Sequence, residues 1–132
     1  MSGERDLSKL LSDMRPDLRH GAYVFTTVVG PAPDGVRPVA SVTEDEGSTL
    51  VITKEEADAA GLPYDYVAGW ITLRVHSALA AVGLTAAVST ALAEAGISCN
   101  VVAGYHHDHL FVPYDRSSVA VAVLEDLAGR PR

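Results

Sequence analysis

The stretch from Asp65 to Val75 places the tightest limit on the fold, because Tyr66, Ala68, Trp70, Thr72 and Arg74 alternate there with Val67, Ile71, Leu73 and Val75. Alternation with period two is the pattern of a strand that turns one face to a core. After His76-Ser77 the chain becomes rich in alanine, and Gly83 divides this segment into a turn at Ser77 to Val82 and a helix at about Leu84 to Ala95. Gly96 supplies the helix stop. Ile97 to Gly104 reads as a strand, His106-His107-Asp108-His109 as a hairpin tip, and Leu110 to Val112 as the returning strand. Asp115 to Leu127 reads as a last helix capped by Asp115 or Ser117. The order is βαββα. A βαββαβ chain folds into an antiparallel sheet with its helices on one face, the ferredoxin-like arrangement of the α+β class. The sixth element is missing here, since only Arg130-Pro131-Arg132 follows Gly129.

The preceding half has a different order. Leu7, Leu10, Leu11 and Met14 recur at helical spacing, so Asp6 to Met14 reads as a short amphipathic helix ending at Pro16, with Asp6 or Ser8 as its cap. Ala22 to Val29 is a strand, broken by the Gly30-to-Gly35 loop. Val39 to Thr43 and Thr49 to Thr53 are two further strands, joined by the solvated acidic turn Glu44-Asp45-Glu46-Gly47. Thr53, followed by Glu55 and Glu56, opens a helix that Gly61 and Pro63 close. This half lacks an opening strand. The expected organisation is thus an N-terminal half at 1–64 and a C-terminal unit at 65–132, two incomplete ferredoxin-like halves that share or exchange the Asp65 to Val75 strand.

Composition narrows the function. The chain has 132 residues, of which 48% are hydrophobic and only 6% aromatic, enough for a folded core but not for a broad aromatic platform. Its ten Lys and Arg against seventeen Asp and Glu give a net charge of −7, which argues against nucleic acid or an anionic membrane as partner. No apolar run approaches the ~20 residues that cross a bilayer, and the start MSGERDLSKLLSDM mixes charges with leucines unlike a signal peptide. A single cysteine, Cys99, agrees with a reducing compartment, so the expected location is the cytoplasm.

Four segments of the second half carry a resemblance: Trp70-Ile71-Thr72-Leu73, Val82-Gly83-Leu84-Thr85-Ala86-Ala87, Leu92-Ala93-Glu94-Ala95-Gly96-Ile97 and Asn100-Val101-Val102-Ala103-Gly104-Tyr105. Together they resemble an ACT domain, a small regulatory fold that binds amino acids. The His107-Asp108-His109-Leu110-Phe111-Val112-Pro113 segment is similar to that of small stand-alone bacterial ACT-domain proteins. The resemblance runs from Trp70 to Leu127 and implies a ligand at the strand-to-helix turn and the next strand, often between two ACT units. It also implies a homodimer.

The residues point to the same turn on their own. A glycine between strand and helix lets backbone approach closely, and a helix start offers unpaired N–H groups at a positive dipole end. Gly83, Leu84, Thr85, Ala86 and Ala87 would receive a carboxylate there, and Asn100 would hold an ammonium or amide from the neighbouring strand. ACT domains commonly place Asn directly after a Gly-Ile pair, whereas here Ser98 and Cys99 stand between Ile97 and Asn100. Displacement by two positions keeps the strand face but changes the depth.

The leading expectation is a non-catalytic module that binds a small effector, an amino acid, without a cofactor. An alternative is a purely structural dimerisation module with a vestigial site. A third is a metal-dependent enzyme using the His106-to-His109 segment. Against that third reading, His106 and His107 would point to opposite faces of an extended strand. Cys99 reads as core packing, Trp70 as a core or interface anchor, and His76-Ser77 as a strand end lacking the third group a nucleophile needs.

Overall fold

The computed structural model describes residues 6–78 and 81–132. The N-terminal helix α1 spans Leu7–Asp13, with the Asp6 side chain accepting from the Lys9 amide as its cap. Its Leu10 and Leu11 are buried, as is Met14 at its C-cap, and Leu7 is half-buried. Strands β2 (Tyr23–Val28), β3 (Ala40–Glu44) and β4 (Gly47–Thr53) follow β1 (Pro16–Leu18), a short strand not expected from the sequence. Helix α2 (Lys54–Ala60) begins with the capping box of Thr53 and Glu56 and ends on Gly61 in the left-handed conformation, as its caps predict.

The second half runs β5 (Val67–Leu73), α3 (Leu84–Glu94), β6 (Asn100–Ala103), β7 (Asp108–Pro113), a 3₁₀ turn at Tyr114–Arg116 and α4 (Ser117–Gly129). Part of the turn expected at Ser77 to Val82, residues 79 and 80, lies outside the described residues. Strand β7 is longer than its apolar run suggested and takes in Asp108 and His109, so the hairpin tip is Gly104 to His107. Neither expected cap serves α4. Its cap residue is Arg116, and the Ser117 hydroxyl donates to the Tyr114 carbonyl.

Among the described residues all strands join one antiparallel sheet in the order β3-β4-β2-β5-β7-β6, with β1 also paired to β5. Tyr23 pairs with Ala68 and Val24 with Val67, while Pro16 to Leu18 pair with Leu73 to Ile71, so β2 and β1 divide one edge of β5. The other edge of β5 pairs with β7. Strand β5 therefore serves both halves. In the first the order is β3-β4-β2-β5, and in the second it is β6-β7-β5-β1. The place of the missing sixth strand is filled from the start of the chain, by β1. The first half does have an opening strand, β2; what it lacks is a helix before β3, where residues 29–39 form a loop instead. A loop rich in Gly and Pro cannot continue as a helix.

Burial is divided by strand parity. Ile71, Leu73, Leu110 and Val112 form one core with Leu10, Met14, Val88, Leu92, Ala120 and Leu124 of the helices, and Val24, Leu50, Ile52 and Ala57 form a second under α2. These residues occupy one sheet face. The other face carries Tyr23, Val51, Ala68 and Phe111 with Phe25, Tyr66 and Trp70. No described helix contributes to that cluster.

Candidate functional site

Strand β5 leads towards Gly83, the residue that starts α3. Gly83 has φ +104° and ψ −17°, a conformation that side chains with a Cβ rarely adopt, and a Cβ there would meet Leu7 Cδ2 at 3.0 Å. No side chain caps α3, and the Ala87 amide is the one that bonds back to the Gly83 carbonyl, at 2.9 Å. The amides ahead of Ala87 belong to the first turn, which has no intrahelical acceptor. Leu84 anchors the helix start in the core at 4% exposure, which fixes the direction of those amides.

This helix start opens into a cleft of about 130 Å³ whose walls include Ser77, Gly83, Thr85, Gly104, His107 and Asp108. One side of its wall comes from the β6–β7 hairpin. The turn is closed by the Gly104 amide donating to the His107 carbonyl at 2.9 Å. A Cβ on Gly104 would lie 2.7 Å from that carbonyl oxygen, so glycine is what lets the tip fold this tightly. Asp108 pairs with Leu73 and Ala103 on the helix side of the sheet. Burial pushes its carboxyl pKa up, against the pull of His109 and His107 downward. His107 Nδ1 is buried without a hydrogen-bond partner. The cleft therefore opposes a positive helix end to a partly buried acid, with the His107 side chain in the same wall.

The remaining expected residues fall elsewhere. Gly83, Leu84 and Thr85 line the cleft, but Ala86 and Ala87 follow the helix away from it. Asn100 is exposed and pairs with Phe111, on the helix-free face of the sheet. Displacement within a strand keeps parity, and this parity is that of Phe111 and Trp70, not of Asp108. The His-Asp-His run, which the sequence suggested as a polar tip, splits between the faces: His107 and Asp108 reach the cleft, while His109 joins Trp70. The alternation of Asp108, Leu110 and Val112 was the available signal for Asp108.

On the opposite face, Trp70 Nε1–H donates to His109 Nδ1 at 3.1 Å, and Thr72 Oγ1 lies 3.1 Å from the same nitrogen. The Arg19 guanidinium stacks over the Trp70 ring at 4.2 Å and donates to Thr72 Oγ1 at 3.3 Å. Cys99 packs against the helix-side core, and burial raises its thiol pKa to about 11. His76 faces His106 with ring centroids 5.7 Å apart. Among the described residues no group of three or more His, Cys, Asp or Glu is arranged to hold a metal ion. No described helix is long and apolar enough to cross a membrane.

Two models described as ACT domain match the chain, one over residues 2–69 and one over residues 66–126. No curated protein matches. Among solved structures, a Vibrio cholerae protein of unknown function, described as a possible transport protein, is 48% identical over 94% of this chain and 97% of its own, with TM-score 0.84. An Agrobacterium tumefaciens protein is similar at 20% identity over 87% and 89% of the two chains, with TM-score 0.64. The ligand-free regulatory subunit of aspartate kinase from Thermus thermophilus is similar in fold at 11% identity, over 86% of this chain and 95% of its own, with TM-score 0.61. With residues 2–126 spanned by the two models and its sheet shared through β5, the chain belongs to the ACT-domain family of regulatory modules.

Proposed function

We propose that the cleft at Gly83 binds a free amino acid and that the chain is a non-catalytic regulatory module acting as a homodimer. The observation that carries the reading is the polarity of the cleft. Uncapped amides of the α3 first turn stand on one wall and Asp108 on the other, a match for the α-carboxylate and α-ammonium of a zwitterion. His107 adds a further polar side chain to the wall. The cleft is small beside the several hundred Å³ usual for drug-sized ligands, which favours an effector with a short side chain. Residues 1–64 and 65–132 act in this reading as two ACT-like units around β5. The β6 edge, Asn100 to Ala103, has no partner on its outer side among the described residues and offers a pairing edge to a second copy.

Isothermal titration against the standard amino acids tests the reading. Saturable binding by one or a few of them is expected, weakened about tenfold or more by Asp108→Asn, since a lost charge-assisted hydrogen bond is worth roughly 1.5–3 kcal/mol. No heat with any amino acid would refute it. Gly83→Val is expected to abolish the binding through both strain and blockage.

A further inference from the structure

Arg19 is fixed on the helix-free face by contacts that leave all but one of its guanidinium hydrogen-bond donors without a partner among the described residues. Its amide donates to the Trp70 carbonyl at 2.8 Å, which fixes its backbone beside β5. Its guanidinium lies 4.2 Å above the Trp70 ring and gives one hydrogen bond, to Thr72 Oγ1 at 3.3 Å. Thr72 is fully buried, so that bond is also what anchors a hydroxyl below the surface. A guanidinium has five N–H donors in a rigid fork. The ion pairs among the described residues are Lys54–Asp58, Arg74–Asp17 and Arg130–Asp126, and none of them involves Arg19. In a chain with an excess of seven negative charges, an arginine pinned by stacking and left without a carboxylate is out of keeping with its surroundings.

The neighbourhood is preorganised. Trp70 is braced on its other sides by Tyr23, edge-on at 5.2 Å, and by Phe111, stacked at 6.0 Å. Its indole N–H is spent on His109 Nδ1. Because the indole can only donate, His109 accepts at Nδ1 and carries its proton on Nε2. The arginine thus rests on an aromatic shelf, on the face that no described helix covers.

We propose that Arg19 and Trp70 form a second binding site, for the carboxylate of a small monoanionic ligand, on the sheet face opposite the Gly83 cleft. A carboxylate meets the guanidinium fork with two oxygens at once, and the stacking on Trp70 spares the entropy of ordering the long side chain. The net charge decides between sources of the carboxylate. A polyanionic peptide brings several charges against an acidic surface, whereas a small monoanion brings one.

The indole N–H of Trp70, the sole tryptophan, gives a unique signal in a proton–nitrogen correlation spectrum of the full chain. Benzoate is the probe, benzamide its neutral isostere, and an oligoglutamate peptide the polyanionic alternative. A saturable shift of the Trp70 signal with benzoate, absent with benzamide, is expected. Arg19→Gln is expected to raise the benzoate dissociation constant at least about tenfold, and Arg19→Lys to fall between, since lysine keeps the charge but not the fork. Gly83→Val leaves the benzoate shift in place, which separates this site from the amino acid cleft. The inference is overturned if benzoate gives no saturable shift, if benzamide matches it, if oligoglutamate alone binds, or if a folded Arg19→Gln protein binds benzoate unchanged.

Discussion

Trp70 donates its indole N–H to His109 Nδ1 at 3.1 Å, a bond between neighbouring strands that requires the imidazole to be neutral. A protonated ring has no acceptor at Nδ1, so the bond is lost and a donor is turned toward a donor. Burial is the largest cause that pulls the His109 pKa down, followed by the positive neighbours His107 and Arg19, with Asp108 opposing and Arg74 adding to the fall. The unfolded chain therefore binds this proton more readily than the folded one. Stability from His109 is in full force above its ordinary value of 6.5 and is lost as pH falls through the lower folded value. Thermal melting between neutral and mildly acid pH is expected to show a falling midpoint, with a smaller fall in His109→Gln. A midpoint that rises on acidification over this range would contradict the tautomer assigned here. Asp108, whose carboxyl is raised from 3.8, contributes in the opposite sense and at the lower, carboxylate end of the scale.

Gly69 sits where β5 passes under the start of α4. A Cβ there would lie 2.0 Å from Ser117 Oγ and 3.0 Å from Ser117 Cβ. Gly69→Ala is expected to destabilise the fold by about 1–3 kcal/mol through overpacking. Ser117→Gly removes both clashing atoms, at the expense of the hydroxyl bond to the Tyr114 carbonyl. In urea denaturation the double variant is expected to be less destabilised than the sum of the two single variants. Simple additivity would mean that the contact does not limit this position.

The second half is not expected to fold alone. Leu10 and Met14 are completely buried and Leu11 is 8% exposed, all in the core that α3 and α4 form over β5 and β7. Truncating one such residue to alanine removes about 2–5 kcal/mol, and a whole domain is stable by about 5–15 kcal/mol. Deleting α1 with its C-cap Met14 takes all three, and deleting β1 also bares part of one edge of β5. A fragment covering residues 62–132 is expected to lack a cooperative thermal transition by circular dichroism. Adding the separate segment 1–61 should restore at least part of it.

Cys99 is expected to be a slow nucleophile in the folded protein. Burial raises its thiol pKa to about 11, so little thiolate exists at neutral pH, and thiolate is the reactive form. Alkylation by iodoacetamide, followed by mass spectrometry, should be slow in buffer and accelerate in urea. Equal rates in both would show that the thiol is not protected by the fold.

Local chemistry was legible in the sequence wherever a residue acts on its own neighbours. Asp6, Thr53 with Glu56, and Gly61 cap or close their helices as their types and spacing predict, because a cap reaches only a turn along the chain. Gly83 was legible for the same reason, as a strand-to-helix turn. The alternation at Val67–Leu73 announced β5 without revealing its register. The incomplete element order of the two halves already pointed to a shared β5, whereas only the tertiary structure decided that β1 fills the place of the missing strand and that Asn100 shares a face with Phe111. Register is set by which buried sets meet across strands far apart in sequence, and a shift of one residue would reverse every face. The same pairing placed Asp108 in the Gly83 cleft and His109 on Trp70, one residue apart and on opposite sides of the sheet. The sequence thus determined the elements apart from β1, and the turn at Gly83, and long-range pairing decided what faces that turn.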